Sequence, residues 1–131
     1  MIYVDSSALL KLLFAEREST ALAEWLAARS GTPVLSSELA KVEVIRACRR
    51  LDLEALPAAR ALLTQLDLIP LTTDVLDEAA QLGAPMLRSL DALHLAGALS
   101  IRADLSFFVA YDQRLSEAAA TVGLESFQPG R

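Results

Sequence analysis

Short apolar stretches alternate along the chain with longer stretches in which apolar residues recur every three or four positions. The short stretches are rich in Val, Ile, Leu and Phe, and they predict β-strands at residues 2–4, 33–35, 68–71, 107–110 and 124–127. The longer stretches predict helices at about residues 7–14, 19–29, 37–50, 52–67, 73–83, 89–102 and 112–123. Strands that alternate with helices in this way are typical of a parallel sheet with helices packed on both faces.

Polar residues and proline indicate where these elements begin and end. We expect Ser6 or Ser7 to cap the first helix, and either Asp52 or Pro57 to begin the fourth. Pro70 restricts the third strand to an edge of the sheet or to a strand end, because proline has no N–H to donate.

Four of the seventeen acidic residues have unusually apolar neighbours. Asp5 and Asp112 follow predicted strands, and Glu43 and Asp91 lie in apolar helix segments. In open sheets of this class, ligands bind beyond the carboxyl ends of the strands. We therefore expect the four carboxylates to converge at one edge of the sheet.

Each of these acids also has a purely structural explanation. Asp5 and Asp112 can cap the helices that follow them, and Asp91 can interact with the dipole of its own helix. Glu43 can turn to solvent and pair with Arg46, which lies one turn along. Only the four acids together point to a functional site.

Carboxylates that crowd together raise one another's pKa values unless cations neutralise them. Hard divalent ions with oxygen ligands, Mg²⁺ or Mn²⁺, suit a shell of carboxylates that retains water. Such a centre can activate water and stabilise the charge that develops on a phosphodiester. It requires neither histidine nor cysteine, of which this chain has one each.

Four segments of the chain together resemble the PIN-domain ribonucleases, specifically the VapC-type toxins of bacterial toxin–antitoxin modules. These segments are MIYVDSSALLKL, SSELAKVEVIRA, RSLDALHLAGAL and FVAYDQRL, and the resemblance extends from residue 1 to about residue 124. It implies a three-layer α/β/α domain with a central short parallel sheet flanked by helices. It also implies an endoribonuclease that uses Mg²⁺, for which Mn²⁺ can substitute, and that inhibits translation. The implied partners are RNA, a VapB-type antitoxin that neutralises the toxin, and a second copy in a homodimer that assembles with the antitoxin.

The resemblance also assigns roles to individual residues. Asp5, Glu43 and Asp91 match the three family acids most consistently tied to metal binding. Asp112 matches a fourth acid, which is more variable in the family and can act through water. Ser6 or Ser7 stands where a Ser or Thr often assists the site, and Ser7 is the weaker candidate for binding substrate because it can simply cap the first helix.

Several other residues could contribute to such a site. Arg46 and Arg50 share a helix face with Glu43, and they form either a solvated face with local ion pairs or a rim that binds RNA phosphates. Lys11, Lys41 and Arg88 are weaker candidates for binding phosphate. His94 is expected to be a packed core residue, with contact to Asp91 or RNA as the alternative, and a Cys48–His94 nucleophile pair is disfavoured.

Length and composition limit the class of protein. The 131 residues suit a single domain over residues 1–131, and 53% apolar content excludes disorder. No apolar run reaches the roughly 20 residues of a membrane span, and we expect no signal peptide. The single cysteine is typical of a reducing compartment, so we expect the cytoplasm of a bacterial or archaeal cell. A net charge of −5 argues against nonspecific coating of nucleic acid or anionic membrane.

Two other classes of protein are weaker interpretations. A phosphotransfer domain with Asp5 as nucleophile would need a second acid at Ser7, or adjoining acids at the first strand end and a lysine after the last long strand. A PIN scaffold that binds without catalysis is the remaining alternative. The high apolar content also predicts exposed apolar surface, mainly in helices over residues 8–13 and 56–66, and hence association with a partner.

Overall fold

A computed structural model describes residues 1–131, and a parallel sheet lies at its centre. The strands are β1 (Ile2–Val4), β2 (Val34–Ser37), β3 (Asp67–Ile69), β4 (Phe107–Val109) and β5 (Ser126–Phe127). They pair in the order β3-β2-β1-β4-β5, and every pair is parallel. β1 is therefore the central strand, and all three of its residues are fully buried.

Seven helices connect and cover the strands. They are α1 (Ser6–Leu13), α2 (Ser19–Ala27), α3 (Glu38–Leu51), α4 (Leu56–Thr64), α5 (Thr73–Gln81), α6 (Ser89–Ser100) and α7 (Gln113–Thr121). None of these helices combines the length and the apolar character that crossing a lipid bilayer requires.

Alternating side chains of the central strand divide the core into two halves. Ile2 and Val4 face one side, where they pack with residues of α1, α2, α3 and α4 such as Leu9 and Leu22. Tyr3 faces the other side and packs with Phe108 of β4 and with residues of α6 and α7. Helices therefore bury both faces of the sheet, which confirms the predicted three-layer α/β/α arrangement.

The structure corrects several predicted boundaries. Asp5, and not a serine, caps α1, because its Oδ1 accepts the N–H of Ala8 at 3.0 Å. Asp52 and Pro57 each begin an element, since Asp52 caps a 3-10 turn and Pro57 lies in the first turn of α4. β3 lies at the edge of the sheet, as predicted, and it ends before Pro70.

Other differences lie at element ends. β2 extends to Ser37, which caps α3 by accepting the N–H of Leu39 at 3.0 Å. The predicted end of the sixth helix is a separate 3-10 turn over Arg102–Asp104. β5 begins two residues later than predicted, at Ser126.

The strand order positions the site. After β1 the chain adds β2 and then β3 on one side, and it returns to add β4 on the other side of β1. The crossover directions therefore diverge between β1 and β4, which is where open parallel sheets form a crevice for ligands. Asp5 follows β1, and Asp112 lies three residues beyond the end of β4.

Candidate active site

Asp5 is the most buried acid of the predicted site, with 4% of its surface exposed. Its backbone N–H donates to the carbonyl of Val109 at 3.1 Å, which holds it against β4. Its Oδ1 accepts from the hydroxyl of Ser7 at 2.6 Å and from the N–H of Ala8 at 3.0 Å. Hydrogen bonds to a charged group are worth about 1.5–3 kcal/mol each, so these two offset part of the cost of burying the charge. Burial still dominates, and the pKa of Asp5 is raised above its ordinary value.

Glu43 projects from α3 toward α1 and α6. Its Oε1 accepts from the hydroxyl of Ser6 and from Nε2 of His94, both at 2.6 Å. Burial opposes ionisation of Glu43, but these hydrogen bonds and the nearby His94 outweigh it, so the pKa of Glu43 lies below its ordinary value. Glu43 forms no ion pair with Arg46, contrary to the structural explanation considered above.

His94 fixes the orientation of Glu43 from the interior of the protein. The ring is 3% exposed, and its Nδ1 lies 2.7 Å from the hydroxyl of Tyr3. Because a carboxylate only accepts hydrogen bonds, Nε2 of His94 must donate to Glu43. In the neutral ring, Nδ1 then accepts from the hydroxyl of Tyr3. His94 is thus buried as predicted, and it contacts Glu43, which the sequence did not indicate.

Asp91 and Asp112 occupy the α6 and α7 side of the same edge. Asp112 is exposed and caps α7, since its Oδ1 accepts the N–H of Leu115 at 2.9 Å. Asp91 lies in the first turn of α6, half-buried and without a hydrogen bond to its side chain. Burial raises the pKa of Asp91 above its ordinary value, and the negative charge of Asp112 raises it further.

The four acids are electrostatic neighbours. The charge of Glu43 raises the pKa values of both Asp5 and Asp91, and the charge of Asp112 raises that of Asp91. In this arrangement, no three His, Cys, Asp or Glu side chains are close enough to one another to hold a metal ion. The structure thus brings the acids to one edge of the sheet without closing a coordination shell.

The donor set nevertheless fits a hard divalent cation. The hydrogen bonds of Asp5 use only Oδ1, those of Glu43 only Oε1, and that of Asp112 only Oδ1. The second oxygen of each carboxylate is left without a protein donor, as are both oxygens of Asp91. Oxygen ligands of this kind, completed by water, are the ones that Mg²⁺ and Mn²⁺ prefer.

The two serines after β1 have separate roles. Ser6 binds Glu43 and lies 3.2 Å from Nε2 of His94. Ser7 binds Asp5 and also accepts the backbone N–H of Tyr111 at 3.2 Å. Neither serine caps α1. Each instead donates a hydrogen bond that orients an acid of the site, Ser6 to Glu43 and Ser7 to Asp5. Substrate binding by Ser7 stays a prediction.

The structure also locates the basic residues and the cysteine. Arg46, Arg49 and Arg50 are exposed on α3 and line a shallow cavity, and none of them forms an ion pair. Lys11 is buried against Glu18 and is therefore a poor candidate for binding RNA, contrary to expectation. Cys48 lies in the core half formed with α1 to α4, where burial raises the pKa of its thiol.

Replacing Asp91 by asparagine tests the repulsion among the acids. A carboxyl whose pKa is raised on folding adds stability below its unfolded pKa, and this contribution is lost as the pH rises through the folded value. At neutral pH without metal, Asp91→Asn should therefore be as stable as wild type or more stable. The advantage should disappear below about pH 3.8, the ordinary value. Urea unfolding against pH measures this difference.

Asp74→Asn is the matched control, because Asp74 is an exposed acid in the first turn of α5. It corrects for the lost interaction with the helix dipole. If Asp91→Asn is strongly destabilised relative to this control, Asp91 is a structural residue of α6 and is not repelled by its neighbours.

Comparison with known proteins identifies the family. The PIN domain family model matches residues 2–121. Ribonuclease VapC47 of Mycobacterium tuberculosis (strain CDC 1551 / Oshkosh) is 44% identical over an alignment of 133 positions, which covers 99% of this chain and 98% of that protein. Ribonuclease VapC35 of the same strain is 43% identical, over 100% of this chain and 98% of that protein.

Solved structures show the same fold. Mycobacterium tuberculosis VapC20, described as a toxin that cleaves the sarcin–ricin loop, superposes with a TM-score of 0.76 at 20% identity, covering 98% of this chain and all of that chain. A toxin–antitoxin complex from Klebsiella pneumoniae superposes with a TM-score of 0.69 at 18% identity, covering 94% of this chain and 93% of that chain. With a family model that matches nearly its whole length and full-length relatives named ribonuclease VapC, this chain belongs to the PIN domain family and is of the VapC type.

Proposed function

We propose that this protein is a divalent-metal-dependent endoribonuclease, the toxin of a toxin–antitoxin pair, which inhibits translation by hydrolysing RNA. The observation that carries the proposal is the meeting of Asp5, Glu43, Asp91 and Asp112 at one edge of the sheet, each with an oxygen free of protein donors. Full-length relatives at 43–44% identity are named ribonuclease VapC, which supports the choice of RNA as substrate.

Asp5, Glu43 and Asp91 would hold the metal, with Asp112 acting directly or through water. When bound, Mg²⁺ or Mn²⁺ supplies an activated water and compensates the negative charge of the phosphodiester in the transition state. Ser7 and Ala8 hold the buried Asp5, while Ser6 and His94 hold Glu43. The protein thereby fixes one oxygen of Asp5 and one of Glu43 and leaves the other oxygen of each for the ion.

Exposed arginines on two sides of the acids would bind the RNA. Arg46 and Arg50 lie one and two turns beyond Glu43 on α3, and both are free of ion pairs. On the other side, a cavity of about 520 Å³ is lined by Asp91 together with Arg88 and Arg114. Phosphate contacts of this kind position an RNA strand without reading its sequence.

The protein would associate through exposed apolar residues with an antitoxin and with a second copy. The structural relative from Klebsiella pneumoniae is described as a toxin–antitoxin complex, which supports the antitoxin as partner. Val42, Leu51 and Leu53 are 56%, 61% and 63% exposed along α3 and the turn that follows. The large exposed apolar residues do not fall in the helices expected from sequence, over residues 8–13 and 56–66.

Removal of the metal, or of its most buried ligand, should abolish cleavage. Asp5→Asn keeps a side chain that can cap α1 but loses a charged ligand, so RNA cleavage in Mg²⁺ should fall about 100-fold or more. Excess EDTA should stop the wild type, and Mn²⁺ should restore it. Gel analysis of a labelled RNA measures both.

Asp52→Asn is the matched control, since Asp52 also caps a turn, in an exposed position at the end of α3. It should cleave like the wild type. Full activity of Asp5→Asn, or undiminished cleavage in EDTA, would overturn the metal-dependent mechanism. Absence of any cleavage by the wild type in either metal would favour a scaffold that only binds.

Removal of the α3 arginines should weaken RNA binding and its dependence on salt. Each lost phosphate contact to a single strand reduces the slope of log K against log [salt] by about 0.7, so Arg46→Ala/Arg50→Ala should flatten it by about 1.4. Fluorescence anisotropy with a labelled RNA in the Asp5→Asn background measures binding without cleavage. Arg17→Ala/Arg60→Ala changes the charge equally at exposed positions, one in the turn before α2 and one on α4, and serves as control. An unchanged slope would assign Arg46 and Arg50 to another role.

Association should be visible in the molar mass. We expect light scattering across a micromolar dilution series to give a mass above that of the monomer, or complex formation with the product of a small adjacent upstream gene. Leu51→Glu/Leu53→Glu should reduce this association, because charges in an apolar interface are costly to bury. A monomer at every concentration that also fails to bind that product would contradict the expectation.

A further inference from the structure

A partly buried ion triad lies beside the candidate active site. Nζ of Lys11 on α1 donates to Oε2 of Glu18 at 2.7 Å, and Nε of Arg131 donates to Oε1 of the same carboxylate at 3.0 Å. Lys11 and Glu18 are 7% and 4% exposed, whereas the side chain of Arg131 is 50% exposed. The hydrogen bonds from Lys11 and from Arg131 lower the pKa of Glu18 to about 2, so Glu18 is ionised at neutral pH.

The triad surrounds a single residue, Tyr111. Nη1 of Arg131 donates to the carbonyl of Tyr111 at 2.8 Å, and Nζ of Lys11 lies 4.7 Å from the centre of its ring. The hydroxyl of Tyr111 donates to the carbonyl of Pro129 at 2.7 Å. Arg131 and Pro129 belong to a segment that docks on α2, where Gly130 has a φ of 93° and a Cβ would lie 2.9 Å from that of Ala21.

Tyr111 in turn is linked to both strand-end acids, to Asp5 through Ser7 and to Asp112 along the chain. Its backbone N–H donates to Oγ of Ser7 at 3.2 Å, and that hydroxyl donates to Oδ1 of Asp5 at 2.6 Å. Its carbonyl carbon is bonded to the backbone nitrogen of Asp112. The backbone N–H, the carbonyl and the ring of Tyr111 are therefore all held. The restraints on its N–H and on its carbonyl act next to Ser7 and to Asp112.

We propose that the Lys11–Glu18–Arg131 triad is a positioning device, which holds Tyr111 so that Asp5 and Asp112 present their free oxygens to one divalent ion. These three residues do not touch the metal or the RNA; they act through Tyr111 and Ser7. The proposal rests on the proposed function only in taking the four acids as a metal site.

The chemistry of the triad fits positioning better than stabilisation alone. A buried ion pair is weak evidence of stability, because the cost of removing two charges from water offsets their attraction. Compared with apolar residues in the same place, an ion pair adds directional hydrogen bonds. The planar guanidinium of Arg131 binds the Glu18 carboxylate and the Tyr111 carbonyl with two donors of fixed relative direction, which lysine cannot reproduce.

Titration calorimetry with Mn²⁺ alone, without RNA, tests the proposal directly. Supporting groups outside the coordination shell typically contribute 10- to 100-fold in metal affinity. We therefore expect Glu18→Gln and Arg131→Gln to weaken Mn²⁺ binding about 10-fold, with Arg131→Lys only partly restoring it. In the cleavage assay, both should need more Mn²⁺ for half-maximal rate, recover most of kcat at saturating Mn²⁺, and keep the KM for RNA.

Glu24→Gln and Arg17→Gln are matched controls, because both residues are exposed and free of ion pairs. They should bind Mn²⁺ like the wild type. If the charge variants fail to fold, Gly130→Ala disturbs the docked segment and leaves every charge in place, and it should weaken Mn²⁺ binding in the same way. A double-mutant cycle of Arg131→Gln with Ser7→Ala should give losses smaller than their sum, since both act on Asp5 along one path.

The outcomes separate the two proposals. Variants that melt at lower temperature but bind Mn²⁺ with wild-type affinity while folded would overturn the positioning role and leave the metal site intact. Strictly additive losses in the cycle would overturn the path through Ser7. A wild type that binds no Mn²⁺ would overturn the metal site and the positioning role together.

Discussion

The burial of one carboxylate imposes the strongest constraint on this structure. Asp5 follows the central strand, where both faces of the sheet are covered, so its charge is almost removed from water. An unpaired charge in such a place costs several kcal/mol, and no cation of the protein contacts it. Hydrogen bonds from Ser7 and Ala8 hold the carboxylate, and its remaining oxygen is where a divalent cation would complete the compensation.

Hydrogen bonds between polar side chains of different elements extend outward from Asp5 along two routes. On one side, Ser6 and His94 hold Glu43, and Tyr3 of the central strand holds His94. On the other side, Ser7 joins Asp5 to Tyr111. In each route a polar side chain from one element satisfies a group on another, so the three layers are locked together at the edge where the acids meet. This explains why buried polar residues are concentrated at this edge of a largely apolar core.

The sequence predicted the layers and the order of elements because these depend on local periodicity. Short apolar strands and amphipathic helices were visible in it, and so was the placement of Asp5 and Asp112 after strands. The partners of Glu43 could not be found in this way, because Ser6 and His94 are 37 and 51 residues distant along the chain. His94 gave one weak signal, since it lies one helical turn after Asp91. Lys11 and Arg131 gave no signal, because a basic residue that pairs with Glu18 looks the same in a sequence as one that is free in solvent.

The sequestered charges also change how an acidic protein would bind RNA. Four of the twelve basic side chains are engaged within the protein: Lys11 and Arg131 by Glu18, Arg29 by Trp25, and Arg102 by the carbonyl of Val122. Attraction of a polyanion then depends on the others, and two groups of these lie on either side of the acids, on α3 and beside Asp91. A net charge of −5 is compatible with RNA binding under this arrangement, because Debye screening limits each contact to about 10 Å at 0.1 M salt. Within that distance a phosphate beside Arg46, Arg49 and Arg50 encounters three positive charges that no carboxylate of the protein pairs.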